Sequence, residues 1–221
     1  MISDDAGTGS FAYEKDPAAI YRQSFSIVRA EADLGILPPA LQPVAVRLIH
    51  ACGMTDIPHD LMWSDGVAEI AHDALTKGAP VLCDVEMVVH GIIPRHLPAN
   101  NQVICTLNRE DVPALAQSIG TTRSAAAVEH WRAHLDGAVV AIGNAPTALF
   151  HLLEMIEKGA PKPAAVLGFP VGFVGAAESK DALAANMLDL PFLALKGRRG
   201  GSAIAAAAVN ALAAGLPEER A

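Results

Sequence analysis

The stretch Ala138-Val139-Val140-Ala141-Ile142 is a short run of apolar residues, and Gly143-Asn144-Ala145-Pro146 follows it at once. A short, continuous apolar run bounded by turn residues is typical of a strand that is buried on both faces. Proline is favoured in the first turn of a helix, so Pro146 predicts that a helix begins directly after the strand. The stretch therefore predicts one strand–loop–helix unit of an α/β protein.

The same unit recurs in both directions along the chain. Apolar runs that precede a helical pattern lie at 81–83, 102–107, 164–167 and 192–195. Strands that alternate with helices form parallel sheets through right-handed crossovers. The sequence therefore predicts a doubly wound α/β fold, with a mainly parallel five-stranded sheet and helices on both faces.

Two helices are predicted before the first of these strands, as an extra N-terminal layer on the sheet. Asp16 and Pro17 are a favourable start for the first helix, which is predicted to end near residue 34. The second helix is predicted to end at Gly53, and Ser64 is predicted to cap a third helix over 64–77. The inward residues of the first helix are predicted to be Ile20, Phe25, Ile27 and Val28, with Ser24 on the flank.

The composition of the 221 residues bounds the domain organisation and the partners. The length favours one compact domain, predicted over 16–214, with a disordered or loosely packed segment at 1–15 and a tail at 215–221. Hydrophobic residues make up 52% of the chain and many are alanine, which suits close-packed helices around a modest sheet. The formal net charge of -8 argues against nucleic acid or an anionic membrane surface as a partner.

The cysteines and the terminal composition favour a cytoplasmic location. Cys52, Cys83 and Cys105 lie in apolar segments without a CxxC pair, as is typical of reduced thiols in a cytosolic protein. Residues 1–10 are acidic and rich in Gly and Ser, the reverse of a signal peptide. No apolar run approaches the roughly 20 residues that a membrane-spanning helix needs.

The loop at 196–202 is the strongest candidate for binding an anion. Arg198 and Arg199 lie there between glycines at the start of a predicted helix, where backbone N–H groups attract carboxylates or phosphates. The alternative is an exposed basic turn. Arg123, just before another predicted helix, is a second plausible anion site. No loop has the GxGxxG or Gly-Lys-Ser/Thr pattern, which disfavours a nucleotide cofactor.

His50 is the candidate for proton transfer. It lies in the last helical turn before Gly53, where the helix dipole favours a protonated imidazole. Arg47, three residues earlier, opposes protonation unless a substrate anion neutralises its charge. A histidine balanced in this way suits proton donation and return. The alternative is a histidine that only bonds to a backbone carbonyl.

The other titratable patterns favour no separate site. His130 and His134 have the spacing of metal ligands on a helix, but a third ligand is lacking, so a solvated helix face is the preferred interpretation. No Ser–His–Asp arrangement can be assembled. Glu178, Ser179 and Lys180 are interpreted as the charged first turn of a helix. The sequence therefore predicts no metal site.

Six motifs follow one another in a fixed order: Arg47-Leu-Ile-His50-Ala-Cys-Gly-Met54, Pro98-Ala-Asn-Asn101, Thr122-Arg-Ser-Ala-Ala126, Gly143-Asn-Ala-Pro-Thr-Ala-Leu149, Gly168-Phe-Pro-Val-Gly-Phe-Val-Gly-Ala-Ala-Glu-Ser-Lys180 and Lys196-Gly-Arg-Arg-Gly-Gly-Ser202. Together they closely resemble the precorrin-8X methylmutase family of cobalamin biosynthesis. The resemblance extends from about Asp16 to Ala213.

The resemblance implies an isomerase and its site residues. Enzymes of this family move a methyl group between neighbouring carbons of ring C of precorrin-8X, giving hydrogenobyrinic acid, without a metal or organic cofactor. By the matching motifs, His50 corresponds to the family's acid–base histidine, and Ser24, Arg47 and Arg123 to its substrate contacts. The family is homodimeric, with the large ligand near the subunit interface.

The residues agree with such a reaction. A methyl shift on a conjugated ring needs a proton added and later removed, and one histidine near neutrality can do both. The substrate is a tetrapyrrole with several acetate and propionate groups. We expect Arg47, Arg123, Arg198 and Arg199 to clamp these carboxylates.

Three alternatives remain open from the sequence. The first is the cobalt-precorrin-8 methylmutase of the oxygen-independent route, which shares the fold and the histidine. The second is a non-catalytic corrinoid carrier that hands the product to another enzyme of the pathway. The third is a nucleotide-dependent α/β enzyme, which the missing phosphate motifs disfavour.

Overall fold

The computed structural model describes residue 11, residues 13–185 and residues 187–214. Residues 13–15 are exposed and lie outside helices and strands. Residue 11 is exposed as well. The rest of the segment predicted to be disordered, residues 1–10 and 12, lies outside the described residues, as does the predicted tail at 215–221.

The described chain alternates strands and helices from residue 61 onward. The helices are α1 Pro17–Glu31, α2 Gln42–Cys52, α3 Val67–Thr76, α4 Glu86–Gly91, α5 Val112–Ile119, α6 Arg123–Glu129, α7 Pro146–Glu157, α8 Ala176–Ala185 and α9 Ser202–Ala214. The strands are β1 Leu61–Trp63, β2 Val81–Cys83, β3 Val103–Cys105, β4 Val139–Ile142, β5 Ala165–Gly168 and β6 Phe192–Leu195. Within the described ranges, no helix is long and apolar enough to cross a bilayer.

The sheet has the order β1-β6-β5-β4-β2-β3. All neighbours are parallel except β1, which pairs with β6 in the antiparallel direction, with Leu61 opposite Leu195. The predicted α/β class and the five parallel strands are confirmed. The predicted count of five was wrong, because β1 is a three-residue edge strand outside the repeating unit. Its pairing partner lies more than a hundred residues away, so the local sequence carries no signal for it.

Ser64 belongs to this edge and not to a helix cap, so that prediction was also wrong. Its N–H donates to the carbonyl of Phe192 at 3.0 Å, and its Oγ accepts the N–H of Phe192 at 2.9 Å. Both groups thus extend the β1–β6 ladder, and α3 begins only at Val67.

The two faces of the sheet have separate cores. Helices α2, α3, α4 and α9 cover one face, where the alternate strand residues Val139 and Ala141 point. Helices α6, α7 and α8 cover the other, towards Val140 and Ile142. The alanine-rich helix α9 is buried along most of its length and packs against α2, α3 and α4. Its small side chains permit close approach of the neighbouring helices.

Helix α1 lies outside this layer, against α2. Phe25 and Val28 are buried as predicted, but Ile20 and Ile27 are 44% and 47% exposed. The prediction for these two isoleucines was wrong because a helix that packs on one neighbour buries only a narrow stripe. Ile20 and Ile27 instead line a cleft between α1 and α2.

The Asp84 carboxylate occupies the switch point of the sheet. Strand β2 lies between β3 and β4, and in such sheets the crevice outside the strand ends at the switch point is the usual ligand site. Oδ1 of Asp84 accepts the N–H of Gly143 at 2.8 Å, and Oδ2 accepts those of Asn144 and Ala145 at 2.9 and 2.8 Å. Burial raises the pKa of Asp84, and these backbone hydrogen bonds oppose the rise. A protein carboxylate therefore fills the position where a ligand anion would bind.

We expect Asp84→Ala to lower the free energy of unfolding by about 3 kcal/mol, because three buried N–H groups lose their acceptor. Urea denaturation measures the change. The control is Asp73→Ala, on the exposed side of α3, with an expected effect of about 0.5 kcal/mol or less. A loss below about 1 kcal/mol for Asp84→Ala would show that the carboxylate does not hold the strand ends.

Candidate active site

His50 lies in the last turn of α2, as predicted. The helix ends because Gly53 adopts a left-handed conformation with φ 71°, and its N–H donates to the carbonyl of Ile49 at 2.7 Å. The imidazole is partly exposed, beside the cleft between α1 and α2. Local sequence thus places His50 at a helix terminus, and α1 supplies its surroundings.

Ser24 on α1 holds the imidazole by a direct hydrogen bond. Its Oγ lies 2.7 Å from Nδ1 of His50. A serine hydroxyl can donate or accept, so it can bond to Nδ1 whether that nitrogen carries a proton or not. In either state the other ring nitrogen, Nε2, is not part of this bond. The arrangement is therefore suited to an imidazole that changes its protonation state.

Two aromatic rings from α1 contact the imidazole. The ring centroid of Phe25 lies 5.1 Å from that of His50 in an edge-on arrangement, and that of Tyr21 lies 5.3 Å away. Sequence analysis did not place Tyr21 in the site and assigned Phe25 only to the core. Tyr21 lies three residues before Ser24 on the same helix, and this spacing was the signal that could have placed Tyr21 beside Ser24.

The cleft beside His50 has a volume of about 370 Å³. Ser24 and His50 provide polar atoms in its wall, while Ile20 and Ile27 provide apolar surface. Such a mixture suits a ligand with an apolar body and a few polar contacts. The cleft is open to solvent, so one chain encloses only part of a large ligand.

Burial lowers the pKa of His50, and the positive charge of Arg47 lowers it further. Arg47 itself is 5% exposed. The helix dipole and the charge of Arg47 were predicted to act on His50 in opposite directions. In the free protein the balance favours the neutral imidazole. A carboxylate bound near Arg47 would offset its charge and favour protonation.

Arg199 is engaged within the protein. Its guanidinium donates to the carboxylate of Asp56 at 2.7 Å and to that of Asp60. Both aspartates belong to the segment that follows Gly53. The sequence predicts Arg199 as a ligand for substrate carboxylates, and in the structure its charge already meets two protein carboxylates. Arg199 therefore ties the loop after β6 to the end of the His50 helix.

Arg198 and Arg123 occupy two different parts of the surface. The guanidinium of Arg198 lies 5.2 Å from the ring centroid of Phe173, which is 83% exposed. Arg123 is exposed at the start of α6 and donates to the carbonyl of Leu107, just beyond β3, at 3.4 Å. The order of the sheet puts β3 four strand spacings from β6, about 19 Å.

The structure thus brings Ser24 and His50 into contact, with Arg47 on the same helix as His50 and Arg199 at its end. It does not bring Arg123 to this group. In the part of the chain that the structure describes, no cluster of three or more His, Cys, Asp or Glu side chains could hold a metal ion. His130 and His134 both lie beyond the end of α6 at Glu129, so the prediction that they share a solvated helix face was wrong. The His130 side chain is only 21% exposed, and its Nε2 lies 3.3 Å from the carboxylate of Asp111.

Comparisons with known proteins agree on one family. A precorrin-8X methylmutase family model matches residues 19–214. A precorrin-8X methylmutase of Pseudomonas aeruginosa is 62% identical over 201 residues, covering 91% of this chain and 97% of that protein. A cobalt-precorrin-8 methylmutase of Salmonella typhimurium is 37% identical over 209 residues, covering 90% and 96%. A solved structure of a Thermus thermophilus precorrin-8X methylmutase has a TM-score of 0.80 and 39% identity, covering 88% of this chain and 94% of that one.

We expect the His50 imidazole to titrate below its ordinary pKa in the free protein, because burial and Arg47 both disfavour the cation. Arg47→Met removes the charge and fills much of the volume, so the pKa of His50 should rise. Histidine-selective NMR across pH measures both midpoints.

The matched control for this titration is Arg132→Met, which removes a guanidinium that pairs with Glu129 on α6. It should leave the midpoint of His50 in place. An unchanged midpoint in Arg47→Met would mean that Arg47 does not set the charge of His50.

Proposed function

Because the chain belongs to the precorrin-8X methylmutase family, we propose that His50 is the acid and base of its reaction. The enzyme is an isomerase of cobalamin biosynthesis. It moves a methyl group between neighbouring carbons of ring C of precorrin-8X and gives hydrogenobyrinic acid. The proposal concerns the residues that carry out this step.

The reaction leaves the oxidation state of the substrate unchanged. Protonation of the conjugated macrocycle makes the carbon next to the methyl-bearing carbon electron-deficient. The methyl group then migrates with its bonding pair, and loss of a proton restores the conjugation. One group that first donates and then accepts a proton is sufficient for this sequence.

The hydrogen bond between Ser24 Oγ and His50 Nδ1 is the observation that carries the proposal. Transfer of a proton at Nε2 leaves Nδ1 protonated in both the imidazolium and the neutral imidazole, so in this proposal Nδ1 donates to Ser24 Oγ throughout. The imidazole therefore keeps its orientation in both protonation states, and Nε2 is the nitrogen proposed to exchange the proton with the substrate. A fixed orientation lowers the entropic cost of proton transfer.

Substrate carboxylates supply the charge balance that protonation of His50 needs. In the free enzyme burial and Arg47 lower the pKa of His50. We infer that a substrate carboxylate at Arg47 raises it again, so that the imidazole is protonated when the macrocycle is bound. Arg198, exposed beside Phe173, is proposed for a further carboxylate. Arg199 would contribute the guanidinium N–H groups that Asp56 and Asp60 leave available.

We propose a homodimer in which a second copy completes the site. Arg123 lies beside the end of β3, four strand spacings or about 19 Å from β6, whose loop carries Arg198 and Arg199. Helix α1 also presents Ile20, Tyr21 and Ile27 to solvent at 36–47% exposure, beside the open cleft. Such apolar surface next to a site is typical of an interface or a ligand contact. An open cleft also suits hand-over of the product to the next enzyme of the pathway.

The metal-free precorrin is proposed as the natural substrate, in preference to the cobalt-containing form. The precorrin-8X methylmutase of Pseudomonas aeruginosa is 62% identical to this chain, whereas the cobalt-precorrin-8 methylmutase of Salmonella typhimurium is 37% identical.

A cytoplasmic location is proposed from the three free cysteines, Cys52, Cys83 and Cys105.

We expect His50→Ala to lower kcat by at least about a hundredfold, because the proton donor and acceptor are lost. The dissociation constant for hydrogenobyrinic acid should change by less than about threefold, since the carboxylate contacts remain. Turnover is followed by the absorbance change on conversion of precorrin-8X, and binding by spectral titration.

His134→Ala, at an exposed position beyond α6, is the matched control and should keep the parent rate. Turnover of His50→Ala within about tenfold of the parent contradicts the assignment of His50. The carrier alternative predicts instead that the parent protein binds substrate and product without changing the spectrum of either.

Metal-free precorrin-8X should be converted with a kcat/KM at least about tenfold higher than that of its cobalt-containing counterpart. The same absorbance assay, run anaerobically with both substrates, measures the ratio. A ratio in favour of the cobalt form would assign the chain to the oxygen-independent route.

A further inference from the structure

Lys180 is a fully buried lysine on α8, with 0% of the residue exposed. Glu178, Ser179 and Lys180 lie near the start of α8, as predicted, but Ser179 and Lys180 are both buried. Helix α8 covers the sheet face opposite to the His50 helix. A buried ammonium is costly to the fold unless it is well bonded, so its partner indicates its role.

The ammonium of Lys180 bonds to the loop after β6. Its Nζ donates to the carbonyl of Arg199 at 2.6 Å. Burial lowers the pKa of Lys180 to about 8, against the opposing effect of Asp181. The group is thus mostly charged at neutral pH, and a charged donor makes a stronger hydrogen bond than a neutral one.

The same loop is fixed from a second side. Gly201 donates to the carbonyl of Phe169 at 2.8 Å. Gly200 lies so close to the loop after β5 that a Cβ there would be 2.3 Å from the carbonyl oxygen of Phe169 and 2.6 Å from that of Pro170. The backbone around Arg199 therefore has little freedom to move.

Arg199 links this loop to the other face of the sheet. Its backbone is held by Lys180, and its guanidinium is bonded to Asp56 and Asp60. These aspartates follow Gly53, which ends the helix of His50. In addition, the N–H of Lys196 in this loop donates to the carbonyl of Asp60 at 2.7 Å. A continuous series of contacts thus joins the buried ammonium to the end of α2.

We propose that Lys180 is a positioning residue for the reaction: its buried ammonium fixes the loop of Arg199, and Arg199 fixes the segment that sets the orientation of the His50 helix end. The inference rests on the proposed function of His50. If the side chain of Lys180 only filled space, an apolar side chain of similar volume could replace it without loss of activity.

The test is a double-mutant cycle on kcat/KM with Lys180→Met, Arg199→Ala and the combined variant. Lys180→Met should lower kcat/KM by about ten- to a hundredfold, because small misplacements of a catalytic group cost this much. In the Arg199→Ala background the same change should cost less than about twofold, since both act through one series of contacts. Lys162→Met, at an exposed position before β5, is the matched control and should keep the parent rate.

Lys180→Gln tests the hydrogen bond itself. Its amide keeps an N–H donor for the Arg199 carbonyl, so it should recover part of the rate that Met loses. The cycle is repeated with this variant, which keeps the test intact if the Met protein fails to fold. The NMR resonances of the His50 imidazole should shift in Lys180→Met and stay in place in Lys162→Met.

Equal losses in both backgrounds, a Gln variant no better than Met, or unmoved His50 resonances would each overturn the proposal. His50→Ala, assayed in parallel, separates this result from the proposed function. If His50→Ala retains turnover, the acid–base assignment fails, while the cycle still reports whether Lys180 and Arg199 are coupled.

Discussion

The Asp84 carboxylate holds the carboxyl ends of the central strands together, because it accepts three backbone N–H groups just beyond β4. In a doubly wound sheet this is the crevice where a ligand anion usually binds. Here a protein carboxylate fills it, which joins β2 to the start of α7. The cleft beside His50 lies elsewhere, between α1 and α2. The cleft beside His50 is therefore formed by helices of the extra N-terminal layer and not by the switch point of the sheet.

The chemistry of that cleft follows from a neutral imidazole in a partly buried place. Burial and Arg47 both lower the pKa of His50 in the free protein, and we propose that a polycarboxylate substrate brings the charge that reverses this balance. In this proposal Ser24 keeps the ring in one orientation throughout, because its hydroxyl accepts from Nδ1 in both protonation states of the imidazole. The proposed mechanism thus couples substrate binding to the protonation of His50 by charge.

The two faces of the sheet meet at the loop that contains Arg199. Lys180 reaches it from the face covered by α8, and Asp56 and Asp60 reach it from the segment after α2. A large ligand bound over the carboxyl ends of the strands would lie against this loop, next to the exposed Phe173 and Arg198. Rigid support beneath a binding loop reduces the entropy lost on binding.

Local sequence determined the repeating strands and helices, the helix end at Gly53 and the ordered motifs of the family, because periodicity and turn chemistry act between near neighbours. Only the tertiary structure decided that Leu61–Trp63 is a sheet edge, that Ile20 and Ile27 line a cleft, and that Lys180 is buried. It also decided that Arg199, predicted to bind a ligand anion, meets Asp56 and Asp60. Each of these outcomes depends on burial or charge pairing between residues far apart in the chain, which no local pattern encodes.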